Sequence, residues 1–546
     1  MILYQNMKIS RLLGVAMLAL GLASCANTDQ VKGRITDSST GAGIAGVPVT
    51  DGFKFTVTDS KGRFRILPDS GAVNVYYTLP EGYRPAVDTS GLPSFFCPVD
   101  RNVRGRQKVE FTLDPLGSPE KDFTLVMIGD PQCEDMKDIV RWKSETLADI
   151  SAYLAAGQKE GRFANPYAFT LGDIIFHYPD AWAPMRSSMS HLEAGGKPLP
   201  LYNCIGNHDH DYAPSVSSDS ASVRNFIDNF GPVDYSMDRG DAHIVVMDNV
   251  IYTGNDARRA NFKAGFSDAQ VEWLKADLNL VRDREQKLLV FVCHIPLRHL
   301  VNSTEDGANF AEVMALMTDF AEAHIMTGHT HYPQNYIHKD YVCRGGQPVY
   351  EHVHGAACGA WWLCNLNADG SPSGYSVYTV NGAHISDWVA KSTGRSEDFQ
   401  MRVYDGNQVY GEKYRYGWEK GGKFGKKVEI KGNPEFRDCF VVSLWNGDDA
   451  GNWNVELYVD GEKAGDFVQT SVPVSDVCTS AFFYNNCGKK TSTWCKASDH
   501  FWYIKAHCGR PSEEKNWEIR ATQTIPGGGA VNVYRSSTLQ TDYSGF

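Results

Sequence analysis

Five continuous apolar runs in the middle of this chain halt at a side chain able to bind a metal. They are FTLVMIGD ending at Asp130, YAFTLGD ending at Asp173, LYNCIGNHD with Asn207 and His208, QKLLVFVCH ending at His294, and AHIMTGHTH with His329 and His331. Runs of this kind read as strands buried on both faces, which implies a sheet covered by helices. Helical signals lie between them. Ile139, Trp142, Leu147, Ile150 and Leu154 recur at helical spacing, and FSDAQVEWLKADLNLV has Ser267 placed as its N-cap. The alternation predicts a layered α/β domain. A polar residue closing one strand is usually a turn former. Five such ends outline a site, because ligands of α/β sheets collect outside the carboxyl ends of strands.

The residue types narrow the chemistry. Carboxylates, an amide and imidazoles without a thiolate suit Zn, Mn or Fe better than an all-oxygen Ca or Mg site. They are too many for one tetrahedral ion and suit two ions sharing a carboxylate, an arrangement that clamps the attacking and leaving oxygens of a phosphoryl transfer.

In order, D-x-[H/Q], G-D, G-N-H-[D/E], H and G-H-x-H resemble the calcineurin-like metallophosphoesterase superfamily over about residues 123–332. The flanking β segments and HGAACGAWW (354–362) look like the three-part exported lipoproteins of Bacteroidetes. The resemblance implies a four-layer α/β/β/α sandwich holding two divalent ions. Asp130, Gln132 and His331 would hold the first ion, Asn207, His294 and His329 the second, and Asp173 would bridge them. A metal-bridging hydroxide would attack phosphorus, with His208 stabilising the oxyanion and acting as general acid and Asp209 orienting its imidazole. Gln132 is the departure, because most members place histidine there. Its amide oxygen is a neutral, weaker donor, which makes harder ions such as Mn or Mg more acceptable. The alternative is a Gln132 that hydrogen-bonds a ligand or water instead of an ion.

His177, His210, Asp211, Arg298 and His299 adjoin the motifs as substrate-pocket candidates or as loop residues with local hydrogen bonds. Arg298 leads them, since Pro296 fixes its loop and a guanidinium can fork onto phosphate. Trp361 and Trp362 read either as a stacking surface or, preferred, as a plug against the following β domain. Asp248, at the end of HIVVMD, reads as structural.

Residues 31–117 alternate as a small β-sandwich, 118–352 form the catalytic domain, and 353–546 alternate again as an all-β domain. At the front, MKISRLLGVAMLALGLASC has basic residues, then an apolar stretch too short to span a bilayer, then Leu-Ala-Ser-Cys. It reads as a secretory signal over residues 1–25 whose lipobox ends at Cys25, with an ordinary cleaved signal as the alternative. An exported protein anchored by lipid to the outer membrane is expected, with its membrane face open. Of 13 cysteines, Cys133, Cys204, Cys293 and Cys358 read as small buried residues, and Cys478, Cys487, Cys495 and Cys508 as disulfide candidates. The net charge of −12 excludes a large basic nucleic-acid footprint. A phosphorylated small molecule or phosphodiester is the expected substrate. The competing function is a surface glycan- or polymer-binding lipoprotein with an inactive core.

Overall fold

The structure, a computed structural model, describes residues 30–103, 105–117, 120–255, 260–300, 307–410, 413–416, 428–431, 433–447, 451–487 and 495–543, with the backbone alone at 299–300, 413–416, 428–431 and 484–487. The signal and lipobox at 1–25 and the side chains of His299 and Cys487 lie outside the described residues. No helix among the described residues is long and apolar enough to cross a membrane.

The N-terminal unit is β structure, as its alternation predicts. Gln30–Asp37 pairs antiparallel with Arg63–Ile66 and parallel with Arg106–Pro115. A second sheet runs Phe55–Val57, Pro48–Thr50, Asn74–Tyr77, Phe96–Pro98. Tyr77 packs edge-on to Phe111 in its core at 4.8 Å.

The catalytic region contains two mixed sheets. The strands are β1 (Asp122–Ile128), β2 (Pro166–Leu171), β3 (Leu201–Cys204), β4 (Tyr235–Arg239), β5 (Ala242–Val246), β6 (Leu288–Val292), β7 (Glu322–Thr327), β8 (Gln334–Val342), β9 (Pro348–Val353), β10 (Gly374–Asn381) and β11 (His384–Ser392). One sheet has the order β3-β2-β1-β10-β11 and the other β4-β5-β6-β7-β9-β8. The β1–β2–β3 and β5–β6–β7–β9 pairings are parallel, so their carboxyl ends align. That alignment gathers Asp130, Asp173 and Asn207 from one sheet with His294 and His329 from the other.

The helices follow their apolar spacing. Met136–Arg141 runs into a π-helical turn, Trp142–Leu147, and then into Ala148–Lys159. The wide turn accommodates the five-residue step between buried Trp142 and Leu147, which a regular helix would turn to different faces. The helix Asp268–Leu278 starts at Ser267, whose hydroxyl accepts from the Gln270 N–H while the Gln270 side chain accepts in return.

One expectation about the C-terminal third changes. The strands β10 and β11 lie beyond residue 352 yet continue the catalytic sheet, β10 pairing antiparallel with β1 from Asp122–Asn381 to Met127–Ser376. Their alternation looks like that of the β domain because an antiparallel strand added to a parallel sheet keeps its period of two. Beyond them, Met401–Asp405, Cys439–Leu444, Phe501–Lys505 and Val468–Gln469 form one sheet, and Glu462–Asp466, Trp453–Val459, Trp517–Thr524 and Val531–Ser536 a second. Val403, Phe440, Val442, Trp453, Leu457 and Ile519 fill a shared core. This is the expected C-terminal β domain, and it carries a helix at Val477–Cys487.

Cys133, Cys204, Cys293 and Cys358 are buried free thiols, as expected. Cys478, Cys495 and Cys508 are also free, contrary to the disulfide expectation. Cys478 faces the Tyr404 hydroxyl at 3.4 Å inside an apolar cluster.

Candidate metal centre

The loops leaving the strands adopt conformations that ordinary residues avoid. Asp130, Gln132, Asp173, His329 and His331 have φ of 42°, 38°, 50°, 70° and 57°, left-handed at five of the seven expected ligand positions. Non-glycine residues held there carry strain that concentrates at functional sites. The glycines beside them answer to space. A Cβ on Gly206 would lie 2.2 Å from the Asp173 nitrogen, and one on Gly328 2.5 Å from Asp130 Oδ2.

Asp173 sits at the middle of the cluster and is buried. Its Oδ1 accepts from the His208 backbone N–H at 2.8 Å, and its Oδ2 accepts from Gln132 Nε2 at 2.9 Å and lies 3.2 Å from His294 Nε2. His294 is fixed from behind. Its Nδ1 donates to the Leu171 carbonyl at 2.7 Å, which turns Nε2 toward Asn207 Oδ1 at 3.1 Å and His329 Nδ1 at 3.2 Å. The donor atoms of Asp173, His294 and His329 lie within 4.8 Å of one another. On the other side, Asp130 accepts from the His329 backbone N–H at 2.9 Å, and its Oδ1 lies 3.5 Å from His331 Nε2. All seven expected ligand residues therefore converge.

The donor set fits divalent cations. Gln132 Oε1 is buried with no hydrogen-bond partner, while the other end of the same amide is engaged by Asp173. A buried amide oxygen left unpaired costs about 1–3 kcal/mol unless something positive meets it. Burial pushes Asp130 up to about 8, with the Asp173 charge adding to the rise and His294 opposing it. Burial holds His329 down to about 3 and His331 to about 4, so both imidazoles offer lone pairs. Burial would also lower His294, but the Asp173 carboxylate carries it up to about 9. Two buried carboxylates, two amide oxygens and the imidazole nitrogens of His329 and His331 thus present a donor set that a divalent ion fits.

His208 is half-buried beside the cluster, its Nδ1 without a partner and its ring stacked on Phe176 at 4.8 Å. Burial lowers it to about 4 despite the opposing Asp173 charge. Asp209 does not orient it. The Asp209 carboxylate accepts instead from the backbone N–H groups of Gly206 at 2.9 Å, Ile174 at 2.9 Å and Ile175 at 3.1 Å. It clamps the Gly-Asn-His loop to the Gly-Asp loop, and His208 Nδ1 finds no acceptor on it.

The weaker candidates separate. His177 faces the site, its ring 4.0 Å from that of His208. His210 does not: it is buried, with Nδ1 on Ser222 Oγ at 2.8 Å and Nε2 3.6 Å from Asp248, so both residues are structural. Asp211 ties its own loop through the Ala213 N–H and Asn225. Arg298 lays its guanidinium over Tyr336 at 4.8 Å, and its backbone N–H is held by Glu351. Its contacts are thus outside the ligand cluster. The tryptophan pair contacts the loops of the ligand cluster. Trp362 Nε1 donates to the Pro131 carbonyl at 2.9 Å, bracing the Asp-Pro-Gln turn, and Trp361 lies 5.9 Å from His331.

One supporting residue escaped the sequence reading. Asn249 Oδ1 accepts from the His294 and Ile295 N–H groups at 3.2 and 2.9 Å, and its Nδ2 donates to the Ile295 carbonyl at 2.7 Å. Its one signal is a position directly after the apolar run HIVVMD.

Three family models match the chain in succession. Residues 29–116 match the N terminal of calcineurin-like phosphoesterase, 123–333 the calcineurin-like phosphoesterase itself, and 351–526 its C terminal. Among solved structures, the purple acid phosphatase PPD1 of yellow lupin (Lupinus luteus) aligns at 14% identity and TM-score 0.34 over 63% of this chain and 73% of its own. PhoD aligns at 11% identity and TM-score 0.34 over 73% and 84%. A putative 5'-nucleotidase from Staphylococcus aureus aligns at 12% and 0.30 over 54% and 61%. No curated protein matches the chain.

Proposed function

The chain belongs to the calcineurin-like phosphoesterases, with the N- and C-terminal extensions of that family, and from this premise we propose that it hydrolyses a phosphate monoester or diester at a centre of two divalent ions. Asp130, Gln132 and His331 would hold one ion, Asn207, His294 and His329 the other, and Asp173 would serve both. Mn, Zn and Fe suit this mixed oxygen and nitrogen set. When bound, the ions supply Lewis acidity to the ester oxygens and lower the pKa of water to near neutrality. The observation that carries the reading is the unpartnered, buried Gln132 Oε1 beside the convergent Asp173, His294 and His329 donors.

The chain's own groups would do the rest. The half-buried His208 imidazole would donate to a phosphoryl oxygen and stabilise charge as it develops there. Water oxygen forms the new bond to phosphorus while the bond from phosphorus to the alcohol oxygen breaks. The departing alkoxide takes a proton from His208, and the ring recovers one from the water consumed. Burial leaves that imidazole neutral near pH 7, and the negative charge of a phosphate beside it would raise its pKa toward the working range. Asp209 and Asn249 would position the loops without touching substrate. The lipobox at Cys25 supports an exported, lipid-anchored location.

Parallel assays on p-nitrophenyl phosphate and bis(p-nitrophenyl) phosphate, with Mn or Zn and with chelator, test the reading. Metal-dependent cleavage of at least one ester is expected. No cleavage of either rejects it.

A further inference from the structure

The loops beside His208 and His331 carry rings where an anion-binding mouth would carry cations. Phe176 stacks on the His208 imidazole with planes 26° apart and lies 6.5 Å from Tyr178. His177 lies between His208, at 4.0 Å, and Tyr212, at 5.7 Å. Trp361, arriving from the loop before β10, is edge-on to Phe176 at 6.4 Å and also neighbours His331. These rings are not core. Tyr178 is 44% exposed, and Phe176, His177, Tyr212 and Trp361 are half-buried. His177 and Trp361 are held in place at φ of 65° and 48°, conformations costly for bulky residues. The segments 174–182, 207–215 and 354–365 contain no lysine or arginine. Arg141, which reaches the last of these segments, is already paired with Glu145 and bonded to the Trp362 carbonyl and Asn365, so it is not free to hold a second phosphate.

We propose that this aromatic rim binds a flat ring on the leaving group of the ester, of the kind a nucleoside monophosphate carries. The proposal rests on the phosphoesterase reading, which puts the departing alcohol next to His208 and so directs its remainder onto Phe176, His177 and Trp361. Aromatic faces stack on a planar base regardless of its hydrogen-bonding pattern, so the rim selects for a ring and not for one base.

The test compares adenosine 5'-monophosphate with ribose 5-phosphate on the metal-loaded full chain, by binding isotherms and by turnover. The two share the reacting phosphate and primary alcohol and differ at the anomeric carbon, which carries adenine in one and a hydroxyl in the other. The nucleotide is expected to bind at least tenfold more tightly. In Trp361→Ala that ratio falls below threefold with bound metal unchanged, and Trp361→Phe recovers part of it. Equal affinities in the unaltered protein, binding of neither, or a ratio that survives Trp361→Ala overturns the proposal. If the nucleotide binds preferentially but neither it nor p-nitrophenyl phosphate is cleaved, the rim stands and the phosphoesterase reading falls.

Discussion

Gln132 and Asp173 are joined twice: the Gln132 backbone N–H donates to the Asp173 carbonyl at 2.8 Å, and its side-chain Nε2 donates to Asp173 Oδ2 at 2.9 Å. One amide thus steadies the carboxylate proposed to serve both ions while turning its own oxygen toward the site. The two sequence-based alternatives for Gln132, ligand or partner of a ligand, describe the two ends of the same group. Gln132→Leu removes both and is expected to weaken metal binding about 10- to 100-fold. Gln132→His should keep or tighten it, since an imidazole is the stronger donor. Metal titration of the two variants distinguishes these outcomes, and unchanged affinity in Gln132→Leu would exclude the residue from the centre.

His208 contributes its backbone N–H to Asp173 but no side-chain bond to any ligand. His208→Ala should therefore retain its metal while kcat falls about 100- to 1,000-fold, the size of losing one preorganised donor to the transition state. Metal analysis beside steady-state kinetics reads both quantities.

Asp209 acts through the backbone. Asp209→Ala leaves the buried N–H groups of Gly206, Ile174 and Ile175 without their acceptor and should cost about 3 kcal/mol of stability in denaturant unfolding. A loss of activity with no loss of stability would instead point to a part in the chemistry.

A pH-dependent contribution lies away from the site. His243 is buried between Asp238 Oδ1 at 2.8 Å and Asp277 Oδ2 at 2.9 Å. Burial alone would lower it, but the carboxylates, Asp277 first, raise it to about 10. A raised histidine stabilises fully below its unfolded pKa of about 6.5, and the contribution is lost as pH climbs through the folded value. The stability gap between the unaltered protein and His243→Gln should therefore be wide at pH 6 and close toward pH 10. A gap that stays constant over that range would contradict the assignment.

Much of the centre was legible because parallel buried strands announce themselves as apolar runs and place the next residue at a common edge. Asp130, Asp173, Asn207, His294 and His329 follow from that geometry alone. The partner of Asp209 was not legible, since a carboxylate beside a histidine in sequence can turn instead to backbone amides of another loop. His210 adjoins the motif yet points at Ser222 and Asp248, and no linear pattern records that direction. Strands β10 and β11 were misplaced for a related reason: alternation reveals that one face is wet, not which sheet receives the strand. Trp361 and Trp362 are neighbours, but left-handed backbone at both sends one to the rim and the other behind Pro131.

The central claim is that seven side chains hold two ions and that catalysis needs both. Apoprotein titrated with Mn, with bound metal and hydrolysis of the two p-nitrophenyl esters followed at each addition, tests it directly. Two equivalents should bind, and turnover should rise only as the second fills. Binding of less than one equivalent, or hydrolysis that persists after complete metal removal, would contradict the account.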